Sequence, residues 1–196
     1  GYRVPADGWK PTGWKAQAKT SKLITSAHVH VKNAHKTNQF WLLWIVLCLN
    51  VSAGIGVLGV ASPMFQEVAV NIFEPEKIVA IAAGFVALLS LSNIIGRIFW
   101  ASSSDFLGRK NTYLVFFALG FLMYVSSPWA GTTGNIPLFA LIFCIILTMY
   151  GGGFATIPAY LADIFGTQHV GAIHGRLLTA WSTAGILGPM LVFYLR

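Results

Sequence analysis

Charge is what this sequence most lacks: Asp, Glu, Lys and Arg together make up 10% of its 196 residues, where a soluble domain carries about 25%. Acidic side chains are the scarcest, six against thirteen Lys and Arg. The two cysteines, Cys48 and Cys144, lie inside apolar runs with no His or carboxylate beside them. That placement favours small buried hydrophobes over a metal or redox pair. Nothing matches a zinc-peptidase helix, a serine-nucleophile elbow or a phosphate-binding loop, so neither an enzyme nor a cofactor is expected. Apolar residues fill the space instead, at 56% of the chain with a mean hydropathy of +0.68. In water such a chain would leave more apolar surface than its polar residues can cover. A bilayer removes the problem, because lipid is itself the apolar solvent.

The net charge of +7 would suggest a nucleic-acid partner in a soluble protein. Here seven of the thirteen cations (Arg3, Lys10, Lys15, Lys19, Lys22, Lys32 and Lys36) fall before position 40. The basic balance belongs to one polar segment, and no nucleic-acid partner is expected. Residues 1–39, rich in Gly, Pro and Thr, read as a loop or linker, and 40–196 as a helical membrane bundle. No signal peptide is read in the polar opening, and the absence of an initiating Met fits an excerpt of a longer protein.

Five long apolar runs follow, at about 40–65, 78–102, 111–127, 136–162 and 175–195. Each approaches the ~20 residues a helix needs to cross a bilayer. The third run is expected to stop at Pro128. The fold class is therefore all-α membrane protein with about five transmembrane helices. Ten of the cations lie in the N-terminal segment and in the 103–110 and 163–176 connectors. The 66–77 connector holds three Glu and one Lys, and 128–135 has no charge. By the positive-inside rule, residues 1–39 lie in the cytoplasm and 66–77 outside. Phe40, Trp41 and Trp44 fit an aromatic belt at the first entry.

Three patterns carry less than they suggest. Gly54-Ile55-Gly56-Val57-Leu58-Gly59 matches a dinucleotide fingerprint but lies in mid-span without a preceding strand, so close helix packing is the better account. Gly151-Gly152-Gly153 can serve as a packing surface or a flexible point, and Pro158 can kink the same helix. His28, His30 and His35 sit in the polar segment without fixed geometry, which argues against a metal.

The informative residue is Arg97, inside Leu91-Ser92-Asn93-Ile94-Ile95-Gly96-Arg97-Ile98-Phe99-Trp100. An intramembrane Arg costs about 2.5–3.5 kcal/mol on insertion scales and marks a functional site by default. Snorkelling toward the cytoplasmic end is the alternative. Asn93, four residues earlier, shares its face and makes a polar stripe suited to a water-filled cavity that binds an anion.

Ser104-Asp105-Phe106-Leu107-Gly108-Arg109-Lys110, together with Gly96-Arg97, resembles the cytoplasmic loop signature of the major facilitator superfamily. Within it the chain most resembles the oxalate/formate antiporter family. The likeness rests on Tyr2-Arg3-Val4-Pro5 with Gly8-Trp9-Lys10-Pro11, on Asn93 to Lys110, on Pro158 through Gly166, and on Gly175 to Pro189. It implies that residues 1–39 link two six-helix halves, and that the five spans are the seventh to eleventh of twelve. The N-terminal half and the last helix would then be missing partners of this piece, in a bacterial inner membrane. It further implies that Arg97 binds a carboxylate, with Asn93 where related monocarboxylate carriers place an acid. Trp181 stands where oxalate carriers are expected to have a Lys. Asn50 and Tyr150 are added as lining candidates. Asp105, Arg109, Lys110 and Asp163 are expected to form a gating latch at the cytoplasmic helix ends. The expected activity is alternating-access transport of a small organic anion such as oxalate, formate, lactate or pyruvate. A non-transporting sensor or scaffold, whose basic segment binds a partner or anionic lipid, is the alternative.

Overall fold

The computed structural model describes Thr12, Thr25 and residues 27–195. Among these residues every regular element is a helix: α1 (Val31–Ala34), α2 (Asn38–Ala69), α3 (Pro75–Leu107), α4 (Arg109–Thr132), α5 (Ile136–Phe165), α6 (Val170–Leu177) and α7 (Thr179–Leu195). Five stretches are long and apolar enough to cross a membrane: α2, α3, α4, α5, and α6 with α7 taken together. Local chemistry sets the starts. Thr37 Oγ1 accepts from the Phe40 N–H at the head of α2, and Asn135 Oδ1 from Leu138 at the head of α5. Pro75 opens α3, where its missing N–H costs nothing.

The helices outrun the apolar stretches that signal them. α2 continues past Pro63 to Ala69, and α3 begins at Pro75 and reaches Leu107. Within the polar N-terminal segment, α1 and the first turn of α2 are already helical. Pro128 does not end the third span, because α4 passes through it to Thr132. The Tyr124 carbonyl that loses its helical partner there accepts from Ser127 Oγ at 3.0 Å. The fifth span is divided at Leu178, between α6 and α7. One residue, Gly108 at φ +83°, joins α3 to α4, a backbone conformation that favours glycine.

α5 is the central helix. It packs most extensively on α3 and also touches α2, α4 and α6, while α7 packs mainly on α2. Phe65, Phe85, Phe139 and Phe143 interlock α2, α3 and α5, with Phe65–Phe85 centroids at 4.9 Å and Phe139–Phe143 at 4.8 Å. Small residues bring α3 against α5. A Cβ on Gly96 would run into the Thr148 backbone, and one on Gly151 into the Asn93 backbone and amide. The triplet Gly151-Gly152-Gly153 is thus a packing surface, facing Asn93, Trp100 and Asn50 in turn. Gly56 likewise meets Gly188 across α2 and α7.

Gly96→Ala is expected to destabilise the fold by about 1–3 kcal/mol through overpacking, whereas Gly84→Ala, with open space around it, is expected to be neutral. Thermal unfolding of the purified protein in detergent distinguishes them. Equal melting temperatures for the two variants would show that α3 and α5 can separate without cost.

Candidate functional site

On α3, Arg97 Nε donates to Asn93 Oδ1 at 3.3 Å, so the two residues predicted to share a face do so. Asn93 is pinned from behind, because its backbone rests on Gly151 of α5. α5 also contributes Phe154, whose ring centroid lies 5.3 Å from Arg97 Cζ, within cation–π range. Trp181 of α7 meets the Phe154 ring edge-on at 4.5 Å and 89°, and lies 6.4 Å from the Tyr150 ring. His174 of α6 stands 6.3 Å from Phe154. α3, α5, α6 and α7 therefore meet around the Phe154 ring that Arg97 lies over.

Arg97 itself is exposed on this bundle and joins none of the ion pairs among the described residues. A cation is thus held by an amide and a ring, with its remaining N–H donors open. Such an arrangement can receive a carboxylate in bidentate fashion while the aromatic wall packs on the apolar part of a small organic anion. Phe154 and His174 were not singled out in the sequence. A Phe in an apolar run carries no signal, and His174 falls just outside the fifth run.

Asn50 lies elsewhere. It is buried between α2 and α5 against Gly153, and its Oδ1 has no hydrogen-bond partner among the described residues. With Tyr150 it borders a cavity of about 360 Å³ enclosed by α2, α4 and α5, whose other lining includes Phe116, Phe117 and Met149. Tyr150 therefore spans both places, its ring covering Gly54 on the α2 side.

At the basic end, Arg109 connects three helices. Its Nε pairs with Asp163 Oδ2 of α5 at 3.3 Å, and its Nη atoms reach Asp105 and Ser104 of α3. Arg109 and Asp163 are 10% and 13% exposed, while Asp105 is 61% exposed, so the inner pair is the stronger tie. Lys110 stands apart, exposed beside Gln39, Tyr113 and Tyr160.

The chain leading into α2 lies across the same end. Thr25 N donates to the Asp163 carbonyl at 3.3 Å and Val29 N to that of Phe165 at 2.9 Å. Arg176 Nη1 donates to the Val31 carbonyl at 2.7 Å and lies 3.2 Å from His35 Nδ1. The His30 ring meets His169 at 4.9 Å, so this histidine and His35 serve packing and capping roles. Trp41 and Trp44, the expected belt, donate to the His35 carbonyl and to Thr179 Oγ1. The basic residues up to Lys22 lie outside the described residues.

A model of the Major Facilitator Superfamily matches residues 2–189. The chain is 29% identical over 175 residues to the oxalate:formate antiporter of Oxalobacter formigenes, covering 87% of this chain and 39% of that protein. It is 23% identical over 172 residues to the uncharacterized MFS-type transporter YhjX of Escherichia coli (strain K12), covering 88% and 41%. It is 26% identical over 155 residues to apicoplast pyruvate carrier 1 of Toxoplasma gondii, covering 76% and 27%. The chain thus spans about two-fifths or less of the length of these relatives.

Proposed function

The chain belongs to the major facilitator superfamily, and on that premise we propose that it forms one wall of a secondary transporter for small carboxylates. One observation carries the proposal: Arg97 is exposed within an apolar span, oriented by Asn93 and Phe154, and without a carboxylate partner among the described residues. A buried or membrane-facing cation that is oriented but unpaired is costly to retain without an anionic ligand. The wall it belongs to is open, and a second half facing it would close a cavity near the bilayer midplane. Transport then proceeds by rocking the two halves about the bound anion. Arg97 holds the carboxylate, and the aromatic wall excludes water from its other face.

A single fixed cation suits oxalate less well than formate, lactate or pyruvate, with Trp181 in place of a second positive charge. The orientation follows from the basic end, which carries the Arg109–Asp163 pair and lies in the cytoplasm. The apolar groove between α2 and α4, part of which is the Asn50 cavity, offers a seat for a further helix of the same half. The relatives support the substrate class, since one is named for oxalate and formate and another for pyruvate.

The test is counterflow in proteoliposomes containing the full-length protein. Vesicles loaded with unlabelled formate, lactate, pyruvate or oxalate are expected to accumulate the labelled counterpart. If a folded preparation exchanges none of the four, the carboxylate assignment is wrong.

A further inference from the structure

We infer that His174 is a proton-dependent second cation of the Arg97 site, which admits a dicarboxylate when it is protonated and leaves a monocarboxylate site when it is neutral. This rests on the carboxylate reading above and deepens it. His174 comes from α6, separate from the α3 stripe, and shares the Phe154 ring with Arg97: the imidazole lies 6.3 Å from that ring and Arg97 Cζ 5.3 Å. From its place beside that shared ring it supplies the charge that Asn93 and Trp181, both neutral, do not.

His174 Nδ1 is buried without a hydrogen-bond partner among the described residues, and the ring as a whole is partly exposed. The buried nitrogen suits the acceptor role of a neutral imidazole, with the other nitrogen as donor. A doubly protonated ring would have a second N–H without an acceptor and a charge without a counter-ion.

The charged and titratable groups on the surrounding elements leave that gap open. Across Phe154 stands Arg97, a cation. At the end of α5, Asp163 is already paired with Arg109. α6 adds Arg176 and its N-cap His169, and the segment before α2 adds His30 and His35, none of them a carboxylate. On α5, Tyr150 faces Trp181. α7 and residues 38–53 of α2 contain no charged side chain. Among the described residues, no carboxylate is placed beside His174 to balance its protonated form. The anion that does so is the substrate itself, and a dianion already bound to Arg97 has the second negative charge to offer. Proton binding and dianion binding then favour each other by linkage.

Histidine is the side chain whose charge changes between about pH 5 and about pH 8, a range in which formate and oxalate both stay largely ionised, so the comparison reads the protein and not the substrate. Full-length protein in proteoliposomes is assayed for formate and oxalate counterflow between about pH 5.5 and about pH 8. In the wild type, the ratio of oxalate to formate exchange is expected to rise about tenfold as pH falls. His174→Gln should give a low ratio that does not vary with pH, and His174→Lys a high one. Thermal unfolding in detergent shows that each variant is folded. A wild-type ratio independent of pH, or a pH dependence that survives His174→Gln, overturns the inference while leaving the carboxylate carrier intact. Absence of exchange with both anions at every pH, in protein shown to be folded, overturns the carrier reading and this inference with it.

Discussion

Arg97→Gln is expected to lower carboxylate exchange by the full-length protein about a hundredfold or more, with little loss of folded protein. Truncating one partner of a desolvated charge pair costs about 2–5 kcal/mol, and each 1.4 kcal/mol is tenfold. Here the lost partner is the substrate's, so the cost falls on binding and not on folding. Within the bundle Arg97 makes one long bond to Asn93 and one ring contact. Replacing it removes an intramembrane charge whose insertion is unfavourable by about 2.5–3.5 kcal/mol. The variant should therefore melt no lower than the wild type, a split between stability and activity that sites under functional constraint show. Arg97→Lys keeps the charge but not the planar fork, and is expected to recover only part of the rate. Tracer exchange and thermal unfolding on the same preparations decide the matter. Undiminished exchange in Arg97→Gln would return the side chain to snorkelling, with a polar head turned to water and no role in recognition. If no variant, wild type included, carried an anion, a sensor or scaffold would become the account of this bundle.

The presence of five spans could be read from the sequence because hydropathy integrates over some twenty residues and tolerates local error. Their ends could not. Helices continue through interfacial segments whose composition is already polar, as α3 does from Trp100 to Leu107. Pro128 signals a stop by its missing N–H, yet Ser127 supplies a local substitute donor to the Tyr124 carbonyl. In the site, Arg97 and Asn93 were legible because helical spacing alone places them on one face. Trp181 packs on the Phe154 ring that Arg97 also meets, and Tyr150 packs on Trp181. Asn50 lies apart from them: mid-span depth says nothing about which side of a helix faces the cavity. Phe154 and His174 escaped notice for a related reason: their significance comes from contact across three helices, and no one-dimensional period encodes it. Gly96, Gly151 and Gly153 carry that tertiary information in a form legible only afterwards, as the places where α3 and α2 approach α5.

Asp163→Asn is expected to disturb transport more than Asp105→Asn, about tenfold against a change near twofold. Both carboxylates meet Arg109, and burial separates them. Asp105 is 61% exposed and pairs with Arg109 across the Gly108 turn, a solvent-screened pair worth about 0–1 kcal/mol. Asp163 is 13% exposed and comes from α5, so its loss leaves the nearly buried Arg109 with only the weaker partner. The same Asp163 carries, on its backbone carbonyl, the bond from Thr25 that fastens the chain entering α2. A break at this pair therefore loosens the junction of α3 and α4, the end of α5 and the entering segment together. In the proposed carrier these ends must part when the cytoplasmic side opens, which makes the pair a contact of the closed state. Weakening it should raise the accessibility of cysteines placed on the cytoplasmic side of the cavity, and should shift exchange by changing the balance of the two states. The charge swap Arg109→Asp with Asp163→Arg restores the attraction with reversed sense and is expected to recover part of the wild-type balance. Asp105→Lys, which adds a cation beside Arg109, should act in the same direction as Asp163→Asn. A latch is not needed if Asp163→Asn and Asp105→Lys lower the melting temperature but leave cysteine accessibility and exchange rates unchanged. In that event Arg109 simply ties α4 to α5 in every state, and the gating contacts must lie between the halves.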